Sequence, residues 1–290
     1  MRIVRTVRDV RTALAPLRAR GSVGFVPTMG ALHDGHAALF RMARATCTTV
    51  VASVFVNPMQ FNDAADLARY PRREAEDARL ADDAGVDVLF VPAADEIYPP
   101  GFSLAVDLAG PADGFEADHR PGHFRGVATV CLKLFVIVQP TDVFLGQKDA
   151  QQVAVLRRLA RDANLDLAIR VVPTVRDRDG LAMSSRNAAL SAAERRKAMV
   201  IPAALMAGLA AHSRREDPVP AARAVLGDLP IDYVAVAEFD EHPTLVVAVT
   251  VGQTRLIDNV PLDEPSLAGL DGPALAVGGA AARRTSIINP

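Results

Sequence analysis

The sequence contains no tryptophan, few aromatic residues and only two cysteines, Cys47 and Cys131. The two cysteines are far apart and lack C-x-x-C spacing, which argues against a zinc site and against a disulfide framework. Both are expected to be reduced and buried, because an isolated cysteine usually packs as a small apolar side chain. Neither has a context that would activate a thiol for nucleophilic catalysis.

An excess of one charge is also missing, since the formal net charge of the 290 residues is −2. A large basic surface for nucleic acid is therefore not expected, although a local basic pocket is allowed. The longest apolar run, at residues 127–138, contains Lys133 and is shorter than the roughly 20 residues of a membrane helix. The basic N-terminal segment has no apolar core typical of a secretory signal. These features predict a soluble, cytoplasmic protein without nucleic-acid or membrane partners.

Apolar residues make up half of the chain, which is enough to bury a substantial core. Strand patterns and helical patterns alternate along its first part. The predicted strands are 22–28, 48–56, 86–92, 141–146 and 166–175, and the predicted helices are 36–47, 73–84 and 151–163. Alternation of this kind predicts an α/β fold, with a Rossmann-like parallel sheet covered by helices on both faces.

The composition changes after about residue 175, where a polar, turn-rich segment begins. We predict a nucleotide-binding domain at 1–175 and a smaller α+β lid domain at 176–290. Ser191 and Glu194 form a capping-box pattern that predicts one helix to about His212, kinked at Pro202. Strands are predicted at 231–240, 244–251 and 254–260, whereas no structure is predicted for residues 261–290.

The first predicted strand leads into two histidines, His33 and His36, by way of turns at Gly30 and Gly35. Ligands of open parallel sheets lie beyond the carboxyl ends of the strands, and a helix N-terminus favours phosphate. The imidazoles could donate hydrogen bonds to phosphate oxygens or become cationic as charge builds there. The alternative interpretation is a pair of surface histidines or partial metal ligands, because short motifs also match by chance.

Two further segments carry cationic or hydroxyl side chains. Lys148 and Asp149 follow the predicted strand that ends at Gly146, where a lysine could neutralise phosphate. Ser184, Ser185 and Arg186 lie in a polar loop that is typical of a mobile phosphate clamp. The alternatives are a solvated lysine at a helix end and an ordinary linker.

Neutral amides follow the second predicted strand, with Asn57 and Gln60 at its carboxyl end. Amides both donate and accept hydrogen bonds, so they suit hydroxyl and carboxylate groups. Gln152 could join them, and Met29, Met59 and Phe61 could form an apolar wall. A small organic acid would fit such a pocket, although simple capping of the strand end is an alternative.

Six motifs occur in an order and spacing that resemble the pantothenate synthetase (pantoate–β-alanine ligase) family of H-x-G-H nucleotidyltransferases. They are PTMGALHDGH (27–36), VFVNPMQF (54–61), YPR (70–72), RPGHFRGV (120–127), KDAQQ (148–152) and GLAMSSRN (180–187). The resemblance extends from about residue 22 to 260. It implies that pantoate and ATP form pantoyl adenylate and pyrophosphate, and that β-alanine then displaces AMP. The alternatives are a nucleotidyltransferase that stops at nucleotide transfer and a nucleotide-binding regulatory module.

The resemblance also implies roles for individual residues. The implied catalytic residues are His33, His36, Lys148, Ser184, Ser185 and Arg186. ATP would contact these residues and Met29, Gly146, Asp149 and Met183, while pantoate would contact Gln60, Gln152, Met29 and Asn57. Asp77, beside Glu76, matches a position near magnesium, and a homodimer using ATP with Mg²⁺ is implied. The chain departs from the family at Gln147, where glutamate is frequent, and at Ala150, where an aromatic residue is common.

Overall fold

The computed structural model of the protein describes residues 1–61, 64–239 and 242–270. The strands are β1 (Arg2–Val4), β2 (Val23–Thr28), β3 (Thr49–Val54), β4 (Val88–Phe90), β5 (Asp142–Gly146), β6 (Ala168–Val172), β7 (Ile231–Phe239), β8 (His242–Val251) and β9 (Thr254–Pro261). The helices are α1 (Val7–Arg18), α2 (Asp34–Thr46), α3 (Ala64–Arg69), α4 (Glu74–Asp83), α5 (Ala94–Ile97), α6 (Glu116–His119), α7 (His123–Val138), α8 (Ala150–Asp162), α9 (Ala192–Ala198), α10 (Val200–Ser213) and α11 (Pro218–Leu226). Short 3₁₀ turns lie at Pro58–Gln60, Gln147–Asp149, Ser185–Ala189 and Pro265–Ala268.

The first six strands form one parallel sheet in the order β1-β4-β3-β2-β5-β6. This confirms the predicted Rossmann-like sheet, including all five predicted strands. Strand β2 lies between β3, which follows it in sequence, and β5, which the chain reaches only after crossing to the other side. The direction of winding therefore reverses at β2, and ligands of such sheets bind beyond the carboxyl ends at this point.

Helices cover both faces of the parallel sheet, as predicted. On one face, Leu14 of α1, Phe135 of α7 and Leu156 of α8 join the apolar core. On the other face, Phe40 of α2 and Ala81 of α4 pack against the sheet. Burial of both faces explains why the strands are continuous apolar runs instead of alternating patterns.

The C-terminal part has its own core beneath an antiparallel sheet in the order β7-β8-β9. Leu205 of α10, Leu226 of α11 and Leu245 of β8 lie in this core. The small α+β unit is confirmed, whereas the exact boundary between 175 and 176 stays a prediction. The unassigned C-terminal stretch begins within the described residues, and its part from 271 onward lies outside them.

The single helix predicted from Ser191 to about His212 is wrong in detail, because two helices meet at Met199. Pro202 has no N–H to donate to the carbonyl four residues earlier, that of Ala198, where the first helix ends. The proline itself lies in the first turn of α10, where helical N–H groups need no partner within the helix. Its effect is thus a break three residues upstream and not a kink at its own position.

The apolar run at 127–138 belongs to α7, a 16-residue helix buried along most of its length. It is apolar on nearly every side, so it lacks the one-sided period that identifies a surface helix. Neither this helix nor β1 and α1 are predicted from the sequence. Within the described parts of the chain, every helix is too short or too polar to cross a membrane.

Candidate active site

A cavity of about 310 Å³ opens beyond the carboxyl ends of β2 and β5 and extends to the C-terminal sheet. The residues predicted from sequence that line it are Met29, His33, His36, Gln60, Gly146, Lys148, Asp149, Gln152, Met183, Ser184, Ser185 and Arg186. Segments that are far apart in sequence therefore meet in one cleft. Asn57 and Asp77 are not among the described residues that line it.

The two histidines form a reciprocal capping box at the start of α2. The Gly35 N–H donates to His33 Nδ1 at 3.1 Å, and the His33 N–H donates to His36 Nδ1 at 3.3 Å. Each Nδ1 is an acceptor, so the proton of each neutral ring resides on Nε2. The ring centroids are 4.2 Å apart. The helix cap thereby fixes two neighbouring Nε2–H donors beside the cavity.

Both histidines are neutral near pH 7. Burial, and then the neighbouring His33, lower the pKa of His36 to about 3. Burial and Lys148 also lower the pKa of His33. Of the two roles expected from sequence, the structure favours neutral imidazoles that donate hydrogen bonds over imidazolium cations.

Positive charge in the cavity comes from Lys148, Arg186 and Arg120. The side chain of Lys148 is only 17% exposed, and its Nζ lies 3.6 Å from Asp149 Oδ1. Removal from bulk water would raise the pKa of Asp149, but Lys148 and Arg186 outweigh this effect and lower it. Burial and then Arg186 lower the pKa of Arg120. Two other carboxylates line the cavity, but Glu116 is paired with Arg255 and Asp258 with Arg176. Positive charge is therefore in excess around Asp149, and an entering anion is stabilised.

The serine loop, defined here as residues 183–187, is anchored to the C-terminal part. Arg176 donates to both carboxylate oxygens of Asp258 on β9, at 2.7 and 3.1 Å. The Met183 N–H donates to the carbonyl of Val175 at 2.9 Å, which ties the loop to the segment beside Arg176. Ser184 Oγ accepts from the Arg186 N–H at 3.2 Å. The backbone of the loop is held, while the side chains of Ser185 and Arg186 remain exposed.

Gln60 is oriented by a chain of buried hydrogen bonds that begins at Tyr98. The Tyr98 hydroxyl donates to Asn57 Oδ1 at 2.7 Å, and Asn57 Nδ2 donates to Gln60 Oε1 at 2.8 Å. Because the oxygen of Gln60 faces Asn57, its Nε2 is left to donate to a ligand. Asn57 itself is 1% exposed and lies behind Gln60, so the structure places it as a support and not at the cavity surface.

The RPGHFRGV segment supports the same glutamine, a role that the residue types alone did not reveal. Arg120 lies 3.1 Å from His123 Nε2, and His123 Nδ1 lies 3.3 Å from the carbonyl oxygen of Gln60. Since arginine only donates, His123 accepts at Nε2 and donates from Nδ1. A Cβ added at Gly126 would lie 2.2 Å from the carbonyl oxygen of Met59, so only glycine permits this approach.

Asp77 has a structural position behind the histidine turn. It is 2% exposed, and its two carboxylate oxygens accept from the N–H groups of Ala31 and Leu32, at 3.1 and 2.7 Å. These bonds hold a backbone that has positive φ at Gly30 and Ala31. Among the described residues, no cluster of three or more His, Cys, Asp or Glu side chains could hold a metal ion. Asp77 therefore does not fit a dedicated magnesium site.

A charged clasp, defined here as Glu116, Asp232, Tyr233 and Arg255, joins the rim of the cavity to the C-terminal sheet. Arg255 of β9 donates to Glu116 at 2.9 Å and to Asp232 at 2.6 Å, and the Tyr233 hydroxyl donates to Glu116 at 2.8 Å. Burial opposes ionisation of Glu116, but Arg255 lowers its pKa overall. No local sequence pattern indicated this pairing, because Glu116 and Arg255 are 139 residues apart.

Because His123 is buried as a neutral imidazole, we expect the folded protein to lose stability in acid. Burial and then Arg120 lower its pKa to about 4, so between pH 6.5 and 4 the unfolded chain binds more protons than the folded one. Stability conferred by neutral His123 is thus present above this window and is lost as the pH falls through it. Relative to His123→Gln, the wild type should lose up to about 1.4 kcal/mol of unfolding free energy per pH unit. Urea unfolding of both proteins at pH 7 and pH 5 measures this, and parallel pH profiles would contradict it.

The H-x-G-H turn lies where the winding of the parallel sheet reverses, and cations surround the cavity beside it, an arrangement that suits a phosphate-bearing ligand. The family model described as pantoate-beta-alanine ligase matches residues 2–261. The chain belongs to this family.

Individual relatives agree with the family match. The chain is 46% identical to the pantothenate synthetase of Rhizorhabdus wittichii over 279 residues, covering 91% of this chain and 99% of the relative. It is 47% identical to that of Roseiflexus sp. strain RS-1 over 279 residues, covering 91% and 100%.

Solved structures show the same fold. The pantothenate synthetase of Thermus thermophilus superposes with a TM-score of 0.85 at 42% identity, covering 90% of this chain and 99% of that one. The pantoate-beta-alanine ligase of Francisella tularensis, complexed with beta-gamma ATP and beta-alanine, gives a TM-score of 0.76 at 33% identity, covering 91% and 98%.

Proposed function

We propose that the cavity between the parallel sheet and the C-terminal sheet is the active site for the reaction of this family. The chain is an ATP-dependent ligase that joins pantoate and β-alanine to form pantothenate. The observation that supports this cavity most strongly is the convergence of the histidine donors, Lys148 and the serine loop around it. These groups lie on three separate segments, and the fold brings them to one place.

The proposed chemistry has two steps. A carboxylate oxygen of pantoate attacks the α-phosphorus of ATP, forming an oxygen–phosphorus bond and breaking the bond to pyrophosphate. The amine of β-alanine then attacks the acyl carbon, AMP leaves with its oxygen, and the amine loses a proton. Activation is needed because a free carboxylate has no adequate leaving group. The protein must hold two anions together and stabilise the charge that develops on phosphate.

Each part of the site suits one portion of this task. The Nε2–H groups of His33 and His36 are aligned by the helix cap and can donate to phosphate oxygens without a change of protonation. Lys148 supplies a positive charge that is largely removed from water, and Arg186 supplies a second positive charge from the exposed loop. Ser184 and Ser185 add hydroxyl donors, while Met29, Gly146, Asp149 and Met183 complete the proposed nucleotide contacts.

Gln60 and Gln152 are proposed to bind the hydroxyl and carboxylate groups of pantoate. Asn57 is proposed to act through Gln60, since it is enclosed behind that side chain. Magnesium is proposed to enter with ATP as part of the substrate, because Asp77 is already bonded to backbone N–H groups. Removal of charge from the triphosphate is the contribution that the ion would supply.

Replacement of Tyr98 by phenylalanine should weaken the binding of pantoate more than the binding of ATP. The change removes the hydrogen bond to Asn57 and with it one constraint on the Gln60 amide. A neutral hydrogen bond contributes about 1 kcal/mol, so the KM for pantoate should rise about fivefold with little change for ATP. Steady-state kinetics with each substrate varied in turn measures the effect. Phe102→Leu, beside the same ring, is the packing control, and equal changes in both KM values for Tyr98→Phe would contradict the proposed relay.

One assay tests the proposed reaction. The purified protein is incubated with ATP, Mg²⁺, pantoate and β-alanine, and AMP is measured against ADP. We expect AMP and pantothenate in equal amounts, together with pantoate-dependent exchange of labelled pyrophosphate into ATP when β-alanine is omitted. Formation of ADP, or AMP release that does not depend on β-alanine, would contradict the proposal. The cytoplasmic location is proposed from the composition and hydropathy of the sequence, and the homodimer from the family resemblance. Light scattering of the purified protein tests the homodimer.

A further inference from the structure

Asn259 on β9 lies against the turn that carries Lys148. It is 3% exposed, and its Nδ2 donates to the carbonyl oxygens of Gln147 and Lys148, at 3.1 and 2.9 Å. Its Oδ1 accepts from Gln147 Nε2 at 2.9 Å. One side chain of the C-terminal sheet therefore binds three groups of a turn at the end of β5.

The direction of this amide is determined by its partners. Main-chain carbonyls only accept hydrogen bonds, so the nitrogen of Asn259 must face them and its oxygen must face the Gln147 side chain. Gln147 must then be a donor, which glutamine achieves without a charge and an ionised glutamate could not. The departure from the family pattern at this position thus has a defined partner in the structure.

Asp258, the residue before Asn259, binds the segment that leads into the serine loop. Successive side chains of a strand point to opposite faces, and Asp258 pairs with Arg176, which precedes the serine loop. The Asp258 and Arg176 side chains are 2% and 5% exposed, so this ion pair is buried away from water. Adjacent residues of one strand are bonded to the lysine turn and to the segment leading into the serine loop.

We infer that Asn259 is a positioning residue, which acts on adenylate formation through Lys148 by fixing the backbone from which the lysine extends. The inference rests on the proposed function. It assigns no contact between Asn259 and substrate. When the two carbonyls of the turn lose the Asn259 donor, the ammonium group of Lys148 is displaced. Small displacements of a catalytic group reduce rates strongly.

A double-mutant cycle tests the inference. Asn259→Ala should lower the rate of pantoate-dependent pyrophosphate exchange by about 10²-fold, the order of loss expected for misplacement of about 1 Å. The KM for pantoate should change little, because Gln60 and Gln152 are untouched. In a Lys148→Ala background the same change should lower the rate by less than about twofold, because residues that act as a unit have non-additive effects.

Two further variants keep the result unambiguous. Val249→Ala removes a buried core side chain of the same sheet, so it should lower the melting temperature while leaving exchange near the wild-type rate below that temperature. Asn259→Asp retains volume and the acceptor for Gln147 but loses both donors, and it replaces Asn259→Ala in the cycle if that variant does not fold.

Equal losses in the two backgrounds would overturn the inference, as would a loss no larger than that of Val249→Ala. If the wild type shows no pantoate-dependent exchange, the proposed function fails and the inference fails with it. If the wild type shows exchange but the losses at Asn259 and Lys148 are additive, the inference fails while the proposed function stands.

Discussion

Lys148→Ala should lower the rate of adenylate formation by about 10²–10³-fold, corresponding to about 3–4 kcal/mol of transition-state stabilisation. The ammonium group lies in a cavity where its side chain is only 17% exposed, so water screens it weakly. Charge builds on the phosphate oxygens as the carboxylate attacks, and the lysine is positioned to offset it. Binding of ATP in the ground state should change less, because Arg186 and Arg120 remain.

Single-turnover formation of pantoyl adenylate, followed by rapid quench, measures this effect separately from β-alanine addition. Lys197→Ala is the matched control, since Lys197 is an exposed lysine on α9 outside the described lining of the cavity. Circular dichroism and the melting temperature should be close to wild type for both variants. Near-normal single-turnover adenylation by Lys148→Ala would show that this lysine does not stabilise the transition state of adenylate formation.

Asp258→Asn should destabilise the folded protein by about 3–5 kcal/mol, because it leaves the charge of Arg176 buried without its carboxylate. Both side chains are at most 5% exposed, and Arg176 also donates to the carbonyls of Ala268 and Gly180, at 2.8 and 3.1 Å. The partners that remain are neutral, so they compensate the charge only in part.

Urea unfolding followed by circular dichroism measures the loss. Glu216→Gln is the control, because it breaks an ion pair with Arg214 in which both side chains are more than half exposed. Exposed pairs contribute little because water and salt screen them, so the unfolding free energy of this variant should be close to that of the wild type. A loss at Asp258 no greater than that at Glu216 would show that Arg176 is not dependent on its carboxylate.

The parts of the site that the sequence predicted are those governed by local rules. His33 and Lys148 each follow a recognisable buried strand, and parallel strands bring their carboxyl ends to the same edge of a sheet. Convergence of the two residues therefore required only the identification of the strands. The serine loop was identified by its composition, since hydroxyl, arginine and turn residues occur together there.

The parts that were missed depend on contacts between distant segments. Gln147 and Asn259 are 112 residues apart, and nothing near either residue indicates that they meet. Asp77 could be matched to a family position, but only the fold shows that its carboxylate holds the backbone of Ala31 and Leu32. Helix α7 was missed for a different reason, because a helix buried on nearly all sides shows no one-sided apolar period.

The histidine capping box makes alanine scanning of this motif ambiguous. His33 both starts α2 through Nδ1 and presents Nε2–H to the cavity, so His33→Ala would lose helix stability, by about 0.5–2 kcal/mol, as well as a donor. Asparagine is among the best residues at a helix start, and its short side chain keeps the acceptor for Gly35 while withdrawing the distal N–H. The difference between the asparagine and alanine variants therefore measures the contribution of the imidazole to the helix cap. The difference between the wild type and the asparagine variant measures the contribution of its Nε2–H donor.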